Sequence, residues 1–274
     1  MNALSPAERF LEDFHQRQPG TTSAAFAHLR SDRHESSYAA LAATLATQAA
    51  PLTVLDLACG NGYLLKLLGE RYPDRLNLIG VDMSQAELDV ARSILPADVR
   101  LLKERAQALS IATASVDVVV SHLALMLMDD IEQVLGEVHR VLRKDGKVAA
   151  IVGRGFLMGP LGEAYLQVFR QVATQDALAH LPMGDPRMRT ETGWQELFSK
   201  NFDDVTFEDI DVAWHPDFAE LWGSLSETYD IDRLTPAARV QLEGRFKASI
   251  TRLEQPDGCY ATGWGLRLIQ ARAR

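Results

Sequence analysis

Val54-Leu55-Asp56-Leu57-Ala58-Cys59-Gly60-Asn61-Gly62-Tyr63-Leu64 is the stretch whose reading decides the fold. An apolar run ends in an acid, a tight turn holds two glycines, and a helical pattern begins. A strand, a glycine loop and a helix N-terminus in that order bring backbone close to a nucleotide-like ligand, because glycine accepts the turn and leaves no side chain in the way. The spacing is Gly-x-Gly with no third glycine, unlike the dinucleotide fingerprint Gly-x-Gly-x-x-Gly. No Gly-Lys-Ser/Thr is present, so the loop is not a phosphate-cradling P-loop either.

Outward from this loop the order is regular. Leu52–Leu57, Leu76–Val81, Val99–Lys103, Val116–Ser121 and Lys147–Val152 read as strands, and Tyr63–Arg71 and Gln85–Leu95 as helices. Ile131, Val134, Leu135, Val138, Val141 and Leu142 recur at three- and four-residue steps, which marks an amphipathic helix. Asp129 and Asp130 stand at its start, where acids favour the helix dipole. Strands alternating with helices at these lengths predict a mostly parallel sheet covered on both faces. Farther on, Leu161–Leu181 and Gly193–Asn201 read as helices, and Val205–Val212 and Thr262–Ala271 as the last two strands. A helical pattern over Asp217–Gln255 separates those two strands. Residues 1–50 read as helical, broken at Pro19-Gly20 and around Ser31–Ser37, with no strand pattern.

The whole chain bounds the function classes. Its 274 residues suffice for one α/β domain with insertions, and 47% apolar residues support an ordinary core. A net charge of −9 and a pI near 5.3 oppose a nucleic-acid substrate, which needs a basic surface against phosphate. Arg187, Arg189 and Lys200 make only a sparse basic patch. Two cysteines, Cys59 and Cys259, form neither a disulfide framework nor a zinc quartet, so no metal is expected. No long apolar run or secretory signal is visible, so the expectation is a cytoplasmic chain without a membrane span, monomeric or homodimeric.

The loop Asp56-Leu57-Ala58-Cys59-Gly60-Asn61-Gly62 resembles motif I, D-x-G-C-G-x-G, of the class I S-adenosylmethionine (SAM)-dependent methyltransferases, with Ala58 where the first glycine stands. Val141-Leu142-Arg143-Lys144-Asp145-Gly146 is similar to that family's R-V-L-K-P-G-G segment before strand five. The resemblance covers roughly residues 50–153. It implies a Rossmann-like α/β fold with a seven-stranded, mostly parallel sheet and helices on both faces. The bare family sheet joins its last two strands by a hairpin, so the helical stretch here is an insertion. The expected layout is an N-terminal helical cap (1–50), a SAM-binding core (51–153) and a C-terminal half (154–274) carrying a substrate cap at about 214–258.

The cofactor the resemblance implies is SAM, and the expected contacts follow from it. Asp56, Ala58, Gly60 and Gly62 would lie under the methionine part, since a zwitterion needs an acceptor for its ammonium and backbone donors for its carboxylate. Asp82, about twenty residues after the loop, would accept the ribose hydroxyls, with Met83 on the adenine or simply in the core. Lys103-Glu104-Arg105-Ala106-Gln107 is similar to the family's adenine-edging segment. Arg105 stands at its usual aspartate and cannot accept hydrogen bonds, which leaves the edge to Ala106 and Gln107. Ser121 and His122 end the fourth strand, where ligands sit in open α/β sheets. His122 is then either a general base near the reacting methyl or a packing residue. Tyr38, with Ser36 and Ser37, would reach the cofactor's carboxylate from a lid.

Three segments outside the shared sheet carry candidate acceptor contacts: Phe10, Phe14, His15, Phe26, Arg33 and Tyr38; Arg154 and Phe156; and Trp214, His215, Phe218, Trp222 and Tyr229. An apolar cap suits a small hydrophobic or aromatic acceptor and excludes water. The leading expectation is O- or N-methylation of a small molecule, of the kind that tailors secondary metabolites. Two alternatives stay open: a SAM-consuming cyclase of the same fold that releases methylthioadenosine, and a non-catalytic SAM-binding protein.

Overall fold

The computed structural model describes residues 3–33, 35–45 and 51–274. Helices α1 (Pro6–Arg17), α2 (Thr21–Phe26) and α3 (Ser37–Ala43) come first, with a two-residue strand β1 (Arg30–Ser31) between the last two. Next come β2 (Leu52–Leu57), α4 (Tyr63–Arg71), β3 (Leu76–Asp82), α5 (Gln85–Ile94) and β4 (Arg100–Lys103). They lead into β5 (Val116–His122), α6 (Ile131–Val141), β6 (Leu142–Gly155), α7 (Gly159–Gln175) and α8 (Glu191–Phe198). The chain ends with β7 (Phe202–Trp214), then α9 (Phe218–Ser226), α10 (Tyr229–Asp232) and α11 (Pro236–Ile250) as an insertion, and β8 (Thr262–Ala273).

The strands form one sheet in the order β1-β7-β8-β6-β5-β2-β3-β4. Strands β2 to β6 run parallel, and β8 is antiparallel to both β6 and β7. The seven expected strands are present, in a mixed sheet with helices on both faces. The eighth, β1, corrects the strand-free reading of the N-terminal segment: Arg30 pairs with Ala213 and Ser31 with Val212 at the sheet edge. Two residues carry no periodicity, so no sequence pattern marks them. The helix expected over Leu161–Leu181 stops at Gln175, where Ala177 takes a positive φ of 51°. The cap boundary expected at residue 50 lies outside the described residues.

Each sheet face has its own core. On one face, α4 buries Leu64, Leu65 and Leu68 against the strands, beside Leu41 of α3 and Tyr165 of α7. The insertion joins this cluster through Leu221, Leu225, Ile231, Leu242 and Phe246. On the other, α6 buries every residue of its predicted stripe up to Val141, together with Trp194 and Phe198 of α8. Strand order reverses at β2, which lies between β3 and β5, so a crevice opens at the carboxyl ends of these three strands.

The turn after β2 is wound through positive φ at Ala58 (60°), Gly60 (51°) and Gly62 (78°). The left-handed region costs an L-residue roughly 1 kcal/mol. Ala58→Gly should therefore stabilise the protein by about 1 kcal/mol, raising its thermal midpoint by about 2 °C. A calorimetric scan that shows no gain would mean Ala58 is not strained.

Candidate active site

A cavity of about 1070 Å³, mouth included, lies over the carboxyl ends of β2, β3 and β5. Its floor is the loop Asp56–Asn61 with Asp82 and Met83, and Ala106 and Gln107 flank it. His122, Leu127 and Met128 close one side, while Glu8, His15, Ser23, Tyr38 and Tyr229 roof it. Of the expected contacts, Asp56, Ala58, Gly60, Asp82, Met83, Ala106, Gln107, His122 and Tyr38 line this space. Gly62 and Ser121 stand behind the wall. Gly62 packs against Ala91 and Leu95, and the Ser121 hydroxyl donates to the Leu57 carbonyl at 2.9 Å.

Asp56, next to last in β2, is 1% exposed, and among the described residues its Oδ2 is buried without a partner. Desolvation by burial pushes its carboxyl up to about 8, with the Asp82 carboxylate adding to the rise. Such an oxygen is costly unless a ligand donor meets it. Asp82 is better supplied: Oδ2 accepts from the Gly60 amide at 2.9 Å and Oδ1 from the Ser84 amide at 2.8 Å. Burial still raises its carboxyl despite these two bonds. The Gly62 amide also donates within the loop, to the Cys59 carbonyl at 3.0 Å. Gly60 and Gly62 thus contribute chain path rather than idle donors.

His122 is buried and its ring stacks on Tyr38, with centroids 3.6 Å apart and planes 17° from parallel. Its Nε2 meets the Ser37 hydroxyl at 2.9 Å, whereas Nδ1 is buried with no partner among the described residues. Burial holds the imidazolium down to about 3, so the ring is neutral at physiological pH. Tyr38 is likewise desolvated, which keeps its phenol protonated. Ser36 caps α3 through the Ala39 amide at 3.1 Å, and Ser37 is the hydroxyl that turns inward to His122.

The roof is stitched to the core by groups that periodicity does not reveal. Glu8 of α1 is 6% exposed and takes a forked pair from Arg105, at 3.0 Å from Nε and 2.7 Å from Nη2, plus Gln107 Nε2 at 3.1 Å. Arg105 at the aspartate position of the family pattern is therefore answered by an acid from the cap. Glu87, the first-turn acid of α5, holds the Gly20 amide at 3.0 Å and His15 at 2.8 Å. Asn61 reaches Ser23 at 2.8 Å, and Ser5 bonds Asp129. A buried acid reads in sequence as a solvated one until its partner is known, which hid Glu8 and Glu87. Among the expected acceptor contacts, His15, Tyr38 and Tyr229 line the cavity. Phe10 and Phe14 support Tyr229 from behind, and Arg33 and Arg154 pair with acids of β7 at the surface.

These residues fit SAM. The Asp56 oxygen could answer an ammonium, the remaining lone pairs of Asp82 vicinal hydroxyls, and Met83 with Leu127 and Met128 would offer apolar surface for a purine. A wall rich in carboxylates also tolerates a sulfonium cation.

Residues 55–150 match the methyltransferase domain family. The chain is 31% identical over 148 residues to malonyl-[acyl-carrier protein] O-methyltransferase 1 of Coxiella burnetii, a match spanning 52% of this chain and 50% of that protein. It thus spans about half the length of this curated relative. Its fold is similar to the YcgJ protein of Bacillus subtilis, at a TM-score of 0.56 and 19% identity over 86% of this chain and 97% of that one. It also resembles geranyl diphosphate C-methyltransferase of Streptomyces coelicolor, solved with S-adenosyl-L-homocysteine, at 0.51 and 15% over 86% and 76%. With motif I and the sheet order in agreement, residues 55–150 form a methyltransferase domain that resembles those of the class I SAM-dependent enzymes.

Proposed function

We propose that the protein is a SAM-dependent methyltransferase acting on oxygen or nitrogen of a small, hydrophobic or aromatic acceptor. The observation that carries this reading is the buried, unpartnered Asp56 oxygen in a roofed cavity whose far wall is the stacked Tyr38–His122 pair. SAM, when bound, supplies an activated methyl group. Asp56 would hold its ammonium, Asp82 its ribose hydroxyls, and Ala106 and Gln107 the adenine edge. A relative and a neighbour of like fold carry names with unlike acceptors, malonyl-[acyl-carrier protein] and geranyl diphosphate, so the acceptor is read from this chain's own roof and not from them.

His122 would act as a neutral imidazole. Its free Nδ1 can receive or give one hydrogen bond to an acceptor, depending on the tautomer that Ser37 selects at Nε2. A ring whose imidazolium is held down to about 3 is a poor proton store at neutral pH, so it orients the acceptor. Tyr38, Leu127 and Met128 exclude water around it. The cap and the insertion thus act as the substrate-selecting parts, and the −9 charge supports a small acceptor over a nucleic acid. Among the described residues no helix is long and apolar enough to cross a membrane.

Mass spectrometry of the protein with SAM alone, then with small phenols, amines and carboxylates, tests the reading. S-adenosylhomocysteine and a methylated product with one acceptor class support it. Methylthioadenosine formed without an acceptor, faster than spontaneous breakdown, would replace it with cyclisation. SAM bound but unchanged by every class would leave a binding protein.

A further inference from the structure

The proposed chemistry makes no use of Glu87, yet this carboxylate is 3% exposed and lines the cavity. It sits in the first turn of α5, where the helix dipole favours an anion. Its Oε1 lies 2.8 Å from His15 Nδ1, and its two oxygens lie 3.1 and 3.0 Å from the Gly20 amide at the α1–α2 junction. The other ring nitrogen of His15 meets the Tyr229 hydroxyl at 3.0 Å. Tyr229 belongs to α10 of the insertion, and its ring stands edge-on to Phe14 of α1 with centroids 4.8 Å apart. Nearby, Arg17 of α1 pairs with Asp232 of α10 at 2.8 Å. Three parts of the chain distant in sequence, the N-terminal cap, the core and the insertion, therefore meet through one imidazole.

The location ties this chain of bonds to the ligand. Glu87, His15 and Tyr229 all face the cavity, on the side of Asp82 and Gly60. The Glu87 carboxylate would lie 3.7 Å from a Cβ on Gly60, and burial first, then the charges of Glu87 and Asp82, raise the Tyr229 phenol. Moving α1 away would strand a buried carboxylate and the Tyr229 hydroxyl together. Moving α10 away would uncover His15.

We propose that Glu87, His15 and Tyr229 are positioning residues that clasp the cap and the insertion together over the ribose side of the cofactor site, so that both must open as one unit for cofactor exchange. This rests on the SAM reading of the cavity. The roof is then a single lid made of two distant segments, and its opening rate sets the cofactor release rate.

The test uses Tyr229→Phe, which keeps the ring against Phe10 and Phe14 and removes only the hydroxyl, with His15→Ala as a second variant. Two quantities are read: amide hydrogen exchange across α1 and α9–α10 in the ligand-free protein, and the dissociation rate of S-adenosylhomocysteine by stopped-flow competition. Loss of one buried hydrogen bond should speed exchange in α1 and α10 together, and cofactor release, about tenfold in Tyr229→Phe, and further in His15→Ala. The thermal midpoint of Tyr229→Phe should fall by only about 3 °C, the cost of that one hydrogen bond, which separates clasping from general destabilisation. Faster exchange confined to α10, with α1 and the release rate unchanged in both variants, would overturn the clasp while leaving the SAM reading intact. Failure of the parent protein to bind S-adenosylhomocysteine would overturn the SAM reading instead, and the exchange coupling would still be read without ligand.

Discussion

Replacing Asp56 by Asn will remove SAM binding and, at pH 8, raise the melting temperature of the ligand-free protein. Both effects come from one carboxylate, 1% exposed, with an oxygen that has no partner among the described residues. Burial and Asp82 push the group up to about 8, whereas in the unfolded chain it titrates near 4. Below pH 4 both states are protonated and Asp56 costs nothing. Between about 4 and 8 the unfolded chain ionises and the folded one does not, so the folded state progressively loses stability. Above 8 the cost is complete, on the order of 5 kcal/mol. Asn is neutral throughout, so the variant's advantage should be about 10 °C at pH 8 and should vanish near pH 4. Its affinity for SAM should fall at least a hundredfold, because an amide cannot neutralise a buried ammonium. A variant that melts below the parent at pH 8 would show that Asp56 is a structural carboxylate.

Gly62→Ala should be the most destabilising small change in the loop. Its φ of 78° puts any L-residue in the left-handed region. A Cβ there would lie 2.8 Å from Leu95 Cδ1, 2.9 Å from Ala91 Cβ and 3.3 Å from Ala91 Cα. The α4–α5 approach must widen or the loop must shift, for a total of about 2–4 kcal/mol. Gly60→Ala is the contrast. Its φ is 51°, but a Cβ there would meet nothing nearer than Glu87 Oε2 at 3.7 Å, so only the backbone cost of about 1 kcal/mol remains. Denaturant titration of the two variants should separate them clearly, and equal losses would contradict the packing reason for Gly62.

The parts of this molecule legible in its sequence are those that periodic burial or a short-range turn dictates. The α6 stripe and the apolar strands around Val118 and Leu55 announce themselves, since a buried face must be apolar at the period of its element. Asp56, Asp82 and the glycine loop were legible because a strand end, a turn and a helix start are local. Strand β1 was not, because its two residues are held by edge pairing with Ala213 and Val212 and by no pattern of their own. Glu8, Glu87 and Arg105 were not, because what makes each acid tolerable inside is a partner from a remote segment. For His122 the position at the end of β5 could be read, but its state could not. The burial that keeps the ring neutral is a fact of packing.

Isothermal titration of SAM into the ligand-free protein, in paired buffers of unlike ionisation enthalpy, tests most directly whether the Asp56 cavity takes this cofactor. At pH 7 the folded Asp56 is mostly protonated and the ligand ammonium needs it ionised, so binding should release close to one proton. Affinity should then rise about tenfold from pH 6 to 7 and turn over near 8, where the ligand's own amine begins to lose its proton. Methylthioadenosine, which lacks the amino-acid part, should bind without that slope, and Asp56→Asn should abolish it for SAM. Tight SAM binding with no proton release, or an Asp56→Asn variant that binds as well as the parent, would contradict the assignment of this site.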